Sequence, residues 1–361
     1  MIHSPGGMHK MKKTAAVSFS ILCLGILIAC SSTPGSGSGE VSPSGIIVEK
    51  NSNIPGLVKL IRNPDRGYNY DAYIWLPSSF GPDDIHRLLV TPNNSGSSDD
   101  LLKFHDSKAL HAILNNWEYG VAKDLNVPHL MPVFPRPRTD WHLYTHSLDR
   151  DTLAISDGKL KRIDLQLLAM IDDTREYLAR QHGIALKEQF FLSGFSASGT
   201  FVNRFTVLHP ERVRAVACGG VNSIPILPIE TYRGRSLPYH IGIANLEKHT
   251  GRTFNPAAWR EVAQYIYMGE LDSNDTTLYD DGFTRDEAHL VWDTVGKDMA
   301  VRWQNCIDVY MENTDHAQLV TYLGIGHQPV VKDMAAFLRE NADGGFTPID
   351  QSQPAESHTN E

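Results

Sequence analysis

A serine stands at the tip of a short turn that the sequence predicts between a buried strand and a helix. Residues 194–198 read GFSAS, with the apolar run 190–192 before them and a helical pattern over 199–207 after them. The small residues let strand and helix cross closely, and Ser196 is placed at a helix N-terminus, which favours developing negative charge. The pattern predicts a nucleophilic hydroxyl, but ordinary turns also match it by chance. The presence of catalytic partners therefore decides the interpretation.

One histidine has the position that a general base for this serine requires. A serine hydroxyl needs a base, and on a sheet with this turn the partners follow in the order serine, acid, histidine. Among the 16 histidines, only His327 combines a preceding strand pattern (319–323), flanking glycines at Gly324 and Gly326, and a following helical pattern (331–338). We predict that His327 is the base.

Three acidic residues follow the predicted strand that ends at Gly269. Asp272 lies at the usual distance beyond such a glycine, and we favour it as the acid that orients the histidine. Asp275 stays an alternative, because residues 274–276 also have the composition of an orienting turn. Glu270 is expected to be solvated or to cap a chain end.

An oxyanion hole needs two backbone N–H groups aimed at the developing charge. We assign one donor to Ala197, directly after the nucleophile. The other is assigned to Asn94, in the loop Asn93–Gly96 that follows the third predicted strand. The alternative is that Asn, Ser and Gly occur in this loop only because they favour tight turns.

Apolar runs alternate with helical patterns from residue 45 onward. Predicted strands cover residues 46–48, 68–76, 88–90, 127–134, 190–192, 213–218, 265–268 and 319–323. Predicted helices cover residues 110–119, 163–179, 199–207 and 331–338. This alternation predicts an α/β fold in which helices cover both faces of a mostly parallel sheet.

Together these residues resemble the α/β-hydrolase superfamily over roughly residues 45–342. The motifs GELDSND (269–275), YDD (279–281) and GIGH (324–327) look like those of bacterial esterases related to polyester depolymerases and feruloyl esterases. The resemblance implies an α/β-hydrolase fold and a Ser-Asp-His mechanism with an acyl-enzyme intermediate. This mechanism requires no cofactor, and the absence of C-x-x-C and H-E-x-x-H motifs gives no support to a metal site. The loop at Asn94 departs from the His-Gly pair that many of these enzymes carry there.

Two further segments are candidates for the walls of the cleft. Residues 222–263 separate the sixth and seventh predicted strands, and in similar enzymes such an insertion caps the active site. Packing without any contact to substrate is the alternative. Arg136, Arg138, Trp141 and His142 follow the fourth strand and either line the cleft or form a surface loop.

The N-terminus has the features of a bacterial lipoprotein signal. Two lysines, Lys12 and Lys13, precede the apolar stretch 15–28, which is short for a membrane span, and residues 27–30 read LIAC. We predict that residues 1–29 are removed and that Cys30 carries acyl chains such as palmitate. The protein would then be exported and anchored to the cell membrane or outer membrane, facing the periplasm or exterior. An uncleaved anchor helix is the alternative.

The remaining sequence divides into a tether (30–44) rich in Ser, Gly and Pro, a catalytic domain (45–345) and a polar tail (346–361) expected to be disordered. Removal of the leader, which holds three lysines and no acidic residue, lowers the formal net charge from −9 to −12. An acidic chain without a basic run argues against nucleic acid as a partner. We expect a small or polymeric ester as substrate. A serine peptidase and a non-catalytic binding lipoprotein are the alternatives.

Overall fold

The computed structural model describes residues 40–41, 45–221 and 224–350. The predicted signal peptide and Cys30, with nearly all of the predicted tether and most of the predicted tail, lie outside the described residues. The strands are β1 (Glu40–Val41), β2 (Ile47–Lys50), β3 (Leu57–Leu60), β4 (Ala72–Trp75), β5 (Leu89–Val90), β6 (His129–Pro132), β7 (Phe190–Phe195), β8 (Val213–Gly219), β9 (Thr231–Tyr232), β10 (Arg235–Ser236), β11 (Ala263–Gly269) and β12 (Ala317–Tyr322).

Helices follow half of these strands, and they supply the layers above and below the sheet. They are α1 (Leu102–Asn115), α2 (Trp117–Leu125), α3 (Arg150–Leu153), α4 (Ile163–His182), α5 (Ala197–Leu208), α6 (Leu246–Thr250), α7 (Pro256–Arg260), α8 (Arg285–Thr294), α9 (Met299–Asn313) and α10 (Val331–Glu340).

Ten strands form one sheet in the order β1-β2-β3-β4-β6-β5-β7-β8-β11-β12. The strands from β6 to β12 in this order pair in parallel. Strands β1 to β4 extend the sheet with antiparallel pairs. The remaining two, β9 and β10, form a separate antiparallel ribbon. The predicted α/β architecture with a mostly parallel sheet is confirmed. Because parallel strands end at the same edge, their following loops can converge on one site.

The sheet separates two apolar layers, and the central strands are buried on both faces. In β7, Phe190 and Leu192 belong to one layer and Phe191 to the other, as the two-residue period of a strand requires. Helices α4, α5 and α9 cover the first layer, whereas α1, α2 and α10 cover the second. This explains why the central strands appear in the sequence as continuous apolar runs.

Some elements differ from the sequence-based expectation. Strand β3 and helices α8 and α9 were not predicted, and the predicted strand 68–76 is reduced to Ala72–Trp75. Tyr68 instead closes a turn, and its hydroxyl donates to Oδ2 of Asp173 at 2.7 Å. The predicted helix 110–119 is part of two helices that meet at Asn116.

The two cysteines of the described residues, Cys218 and Cys306, are buried thiols that are not joined in a disulfide. Burial raises the pKa of the Cys306 thiol to about 12 and that of Cys218 further still. These thiols therefore stay protonated and unreactive at neutral pH. In the part of the chain that the structure describes, no helix has the length and apolar character to cross a membrane.

Candidate active site

Ser196 lies at the junction of β7 and α5 in a backbone conformation that few serines adopt. Its φ and ψ are 59° and −126°, and its N–H donates to the carbonyl oxygen of Gly219 at 2.9 Å. A Cβ on Gly194 would lie 2.3 Å from the carbonyl oxygen of Ser198, and one on Gly199 would lie 2.4 Å from that of Gly219. Both glycines are therefore required by close backbone contacts, and the tight turn holds Ser196 at the start of the helix.

The second small residue of the turn has a role beyond its size. The Ser198 hydroxyl donates to the carbonyl oxygen of Phe195 at 2.9 Å and accepts from the N–H of Phe195 at 3.1 Å. These bonds bridge the turn on both sides of Ser196. In the sequence, Ser198 is recognisable only as a small residue, although serine commonly bonds to nearby backbone groups in this way.

The structure brings Asp272 and His327 into direct contact. Nδ1 of His327 lies 2.7 Å from Oδ2 of Asp272, whose side chain is only 3% exposed, while that of His327 is 29% exposed. The other carboxylate oxygen of Asp272 accepts from the N–H of Asn274 at 2.9 Å. A neutral imidazole that donates from Nδ1 carries its lone pair on Nε2, which is the form that can accept a proton.

Backbone contacts fix the loops that carry this pair. A Cβ on Gly269 would lie 2.3 Å from the carbonyl oxygen of Ile325, so only glycine lets the two loops cross there. The N–H of Leu271 donates to the same oxygen at 2.8 Å. Glu270, expected to be solvated or capping, accepts from the N–H of Gly324 at 2.9 Å and so links the two loops.

Asp275, the alternative acid, has different partners. Its Oδ1 accepts from the N–H and hydroxyl of Thr277 at 3.1 and 2.7 Å and lies 2.7 Å from Nη2 of Arg302, whose side chain is fully buried. Asp275 therefore balances a buried positive charge and caps a short turn. Of the two candidate acids, Asp272 is the one that the structure places on His327.

His327 lies beside the turn that carries the serine. Its ring centroid is 4.6 Å from that of Phe195, the residue before Ser196. A Cβ on Gly220, just after β8, would lie 2.9 Å from Cε1 of His327 and 2.8 Å from the Phe195 ring. The imidazole therefore lies at the ends of β7 and β8, against the residue that precedes Ser196.

Tyr267, which was not among the predicted site residues, contacts both the turn at Ser196 and the loop at His327. Its hydroxyl accepts from the N–H of Val330 at 3.1 Å, three residues after His327. Its ring stacks on Phe195 and occupies the space where a side chain on Gly219 would lie. An aromatic residue two positions before a strand-ending glycine gives no sequence signal of such a role.

A cavity of about 230 Å³ opens beside Ser196. Besides Ser196, it is lined by Tyr144, Ala197, Asn274, Thr276, Tyr279 and Asp281. Ala197 is the first residue of α5, where backbone N–H groups have no partner within the helix. A donor at this position suits a developing oxyanion.

Asn94 does not belong to the lining of this cavity. Its side chain accepts from the N–H of Gly96 at 3.1 Å within its own loop. The adjacent Asn93 is buried and bonds to both the N–H and the carbonyl oxygen of Phe134. The assignment of Asn94 as the second oxyanion donor stays a prediction.

One of the predicted cleft residues, Arg136, contacts two residues that line this cavity. Nη2 of Arg136 lies 2.6 Å from Oδ2 of Asp281, and the Arg136 guanidinium carbon is 3.7 Å from the centre of the Tyr144 ring. Arg138 points elsewhere, because it pairs with Asp99 at 3.3 Å and is 67% exposed. Trp141 and His142 are exposed and contact each other edge to face.

The described part of the predicted cap, residues 224–263, packs against the helical layer. The N–H of Ile226 donates to the side chain of Asn203 in α5 at 2.8 Å, and the hydroxyl of Tyr239 donates to the carbonyl oxygen of Leu148 at 2.6 Å. None of these residues lines the described cavity at Ser196. This cavity therefore gives no support to a cap role for the segment.

Comparisons with known proteins give a likeness in structure. No family model matches the chain, and no curated protein matches it in sequence. A poly(aspartic acid) hydrolase from Sphingomonas sp. KT-1 is 17% identical with a TM-score of 0.50, covering 79% of this chain and 98% of its own. A poly(3-hydroxybutyrate) depolymerase from Bordetella parapertussis is 18% identical with a TM-score of 0.48, covering 79% and 87%. The first likeness establishes the fold, and the substrates named belong to those proteins.

Proposed function

Because the chain has the α/β-hydrolase fold, we propose that it is a serine hydrolase that cleaves carboxylic esters. The observation that carries this proposal is the 2.7 Å contact between His327 and the buried Asp272, next to the strained Ser196. A nucleophile, a base and a carboxylate that orients the base are the parts that acyl transfer requires. All three lie at the ends of parallel strands.

In the first half of the reaction, the Ser196 oxygen attacks the acyl carbon of the ester while Nε2 of His327 takes the hydroxyl proton. Asp272 stabilises the imidazolium that forms, since its carboxylate lies on Nδ1. The N–H of Ala197 donates to the oxyanion. The C–O bond to the alcohol then breaks, and His327 returns the proton to the leaving alkoxide, which leaves an acyl-Ser196 ester.

In the second half, water takes the role that the Ser196 hydroxyl had in the first, as nucleophile and as proton donor to His327. His327 removes a proton from the water, whose oxygen attacks the acyl carbon of the Ser196 ester. A second oxyanion forms in the same position and collapses to release the carboxylic acid, while Ser196 regains its proton from His327. The residues named here need no cofactor for this sequence. The loop at Asn94 is proposed to supply the second oxyanion donor.

The test is hydrolysis of p-nitrophenyl butyrate by the purified wild-type protein and by Ser196→Ala. We expect the substitution to lower kcat by about 10⁴–10⁶-fold, because it removes the nucleophile. Near-normal hydrolysis by Ser196→Ala would overturn the proposal. Chromogenic peptides assayed in parallel identify a peptidase if they are cleaved in preference to esters. No cleavage of either substrate class would favour a binding protein.

We further propose that the protein works outside the cytoplasm on a lipid anchor. The support is the order of lysines, apolar stretch and LIAC motif that ends at Cys30. Expression with labelled palmitate in a bacterial host is expected to label the wild-type protein and not Cys30→Ala. Equal labelling of the two proteins, or labelling of neither, would contradict this localisation.

A further inference from the structure

The cavity beside Ser196 is small and polar. Its volume of about 230 Å³ corresponds to roughly eight water molecules and is below the ~300–1,000 Å³ of typical small-molecule sites. Every lining side chain except that of Ala197 carries a hydrogen-bonding group. A long alkyl group would displace water from these groups without replacing their hydrogen bonds. The cavity therefore suits a short group that itself makes hydrogen bonds.

Asp281 is the charged side chain of this lining, and it has unused hydrogen-bonding capacity. Of the described residues, Arg136 alone bonds to it, through the 2.6 Å contact to Oδ2. A carboxylate has about four sites that accept hydrogen bonds and no donor. The Asp281 side chain is 29% exposed, so its remaining sites can meet a ligand that donates.

Arg136 holds the carboxylate in place without lining the cavity itself. Its side chain is only 13% exposed and rests on the Tyr144 ring, at 3.7 Å from the ring centre. The guanidinium also cancels the charge of Asp281, so the pair presents an acceptor with no net charge. A ligand group that donates a hydrogen bond and carries no charge therefore binds best at such a site. A carboxylate on the ligand is repelled by Asp281, and an ammonium group gains little because the charge of Asp281 is already paired with Arg136.

We propose that Asp281, fixed by Arg136, selects esters that carry a neutral hydroxyl group close to the scissile bond. This inference rests on the proposed ester hydrolysis and adds a substrate class to it. The hydroxyl donates to the free carboxylate oxygen while the acyl carbon lies at Ser196. Thr276 and Tyr279, which line the same cavity, carry hydroxyls that can bond to the same short group.

Two matched pairs of esters test the proposal by titration of released acid. Propyl butyrate and glyceryl monobutyrate differ by hydroxyls on the alcohol, whereas ethyl acetate and ethyl glycolate differ by a hydroxyl on the acyl group. Within each pair, the ratio of kcat/KM is compared between wild type and Asp281→Ala, so that intrinsic reactivity cancels. We expect the ratio to fall by roughly tenfold in at least one pair, since a hydrogen bond to a charged group is lost.

The neighbouring Asp280, which is exposed and outside the lining, gives the matched control. Asp280→Ala is expected to keep the wild-type ratios. Asp281→Asn replaces the alanine variant if the latter does not fold. Unchanged ratios in both pairs would overturn the inference, as would a tenfold preference of the wild type for ethyl glycinate over ethyl glycolate below pH 7. Failure of the wild type to cleave any ester would instead refute the proposed function.

Discussion

Two parts of the candidate site are built in different ways. The catalytic wall, as we call the proposed catalytic residues Ser196, Asp272 and His327, follows three strands of one parallel sheet, and backbone hydrogen bonds fix its loops. The Asp281 wall consists of the cavity residues Tyr144 and Asp281 with Arg136 behind them, and it depends on one ion pair and one ring contact between distant segments. The catalytic wall is therefore set by the fold, whereas the Asp281 wall is set by a few side chains.

This difference predicts two kinds of mutational effect. Changes in the catalytic wall remove chemistry and should lower kcat by orders of magnitude. Changes in the Asp281 wall alter which ester is preferred, as in the Asp281 experiment above. Substitutions of residues that support a wall without belonging to it should lower kcat by a smaller factor, or should change only the stability of the fold.

The largest effect is expected at the base. His327→Ala removes the group that takes and returns the proton, and we expect kcat for p-nitrophenyl butyrate to fall by about 10⁴–10⁶-fold. Circular dichroism should show an unchanged fold, because His327 is partly exposed. A decrease in kcat of less than tenfold would show that another group acts as the base and would contradict the role of His327 in the catalytic wall.

The two acids of one turn give the next contrast. Asp272→Asn should lower kcat by about 10⁴-fold, because an amide cannot stabilise the imidazolium. Asp275→Asn should instead destabilise the fold by about 3–5 kcal/mol, because it leaves the buried Arg302 charge unpaired.

Urea denaturation and kcat per folded molecule separate these outcomes. The Asp272 variant is expected to keep the wild-type unfolding midpoint, and the Asp275 variant to keep kcat within about tenfold. The reverse pattern, with activity lost only in Asp275→Asn, would make Asp275 the triad acid.

A smaller effect is expected from Tyr267, which supports the catalytic wall from below. Tyr267→Phe keeps the ring and removes the acceptor of the Val330 N–H, so the loop that carries His327 can shift. We expect kcat to fall by roughly tenfold with KM within twofold, since small misplacements of a catalytic group are costly. Tyr265→Phe is the matched control, because it removes a buried hydroxyl on the same strand that bonds to Tyr322 instead. Equal losses in the two variants would indicate a general packing defect.

The smallest effect on activity is expected at Glu118 in α2, outside both walls. Burial raises the pKa of this carboxyl from 4.5 to about 7, and a shift of that size corresponds to roughly 3 kcal/mol. Because the pKa is raised in the folded state, the protonated side chain is favourable below about pH 4.5, and this contribution is lost as the pH rises through 7.

Glu118→Gln should therefore raise the Tm at pH 8 and leave it nearly unchanged at pH 4.5, with kcat at pH 8 within twofold of wild type. Thermal denaturation at the two pH values measures the difference. A stabilisation that is equal at both pH values would show that ionisation of Glu118 is not its cause.

The sequence was sufficient to predict the parts of the site that depend on chain order. Ser196 and His327 follow strands and are flanked by small residues, so their positions in the chain indicate a shared sheet edge. The choice between Asp272 and Asp275 depended on a side-chain contact to Arg302, which lies outside the turn. A pattern within one turn does not contain that information.

The residues of the Asp281 wall could be predicted from the sequence only in part. Arg136 was a candidate for the cleft, but its partner Asp281 lies 145 positions along the chain, and no spacing rule connects the two. Tyr267 was seen only as an apolar strand residue, since its role comes from the loop that folds over it. The described part of residues 222–263 packs on α5 and on the segment before α3, and their predicted role as a cap stays a prediction.

The most direct measurement for the central claim is labelling by a fluorophosphonate probe followed by mass spectrometry of the peptides. An activated serine forms a covalent phosphonyl ester, whereas an ordinary surface serine does not react. We predict a single modified residue, Ser196, in the wild-type protein and labelling that is slower by roughly a hundredfold or more in His327→Ala, because the base that activates the hydroxyl is lost. Absence of labelling at Ser196, or equal labelling in the two proteins, would contradict the central claim.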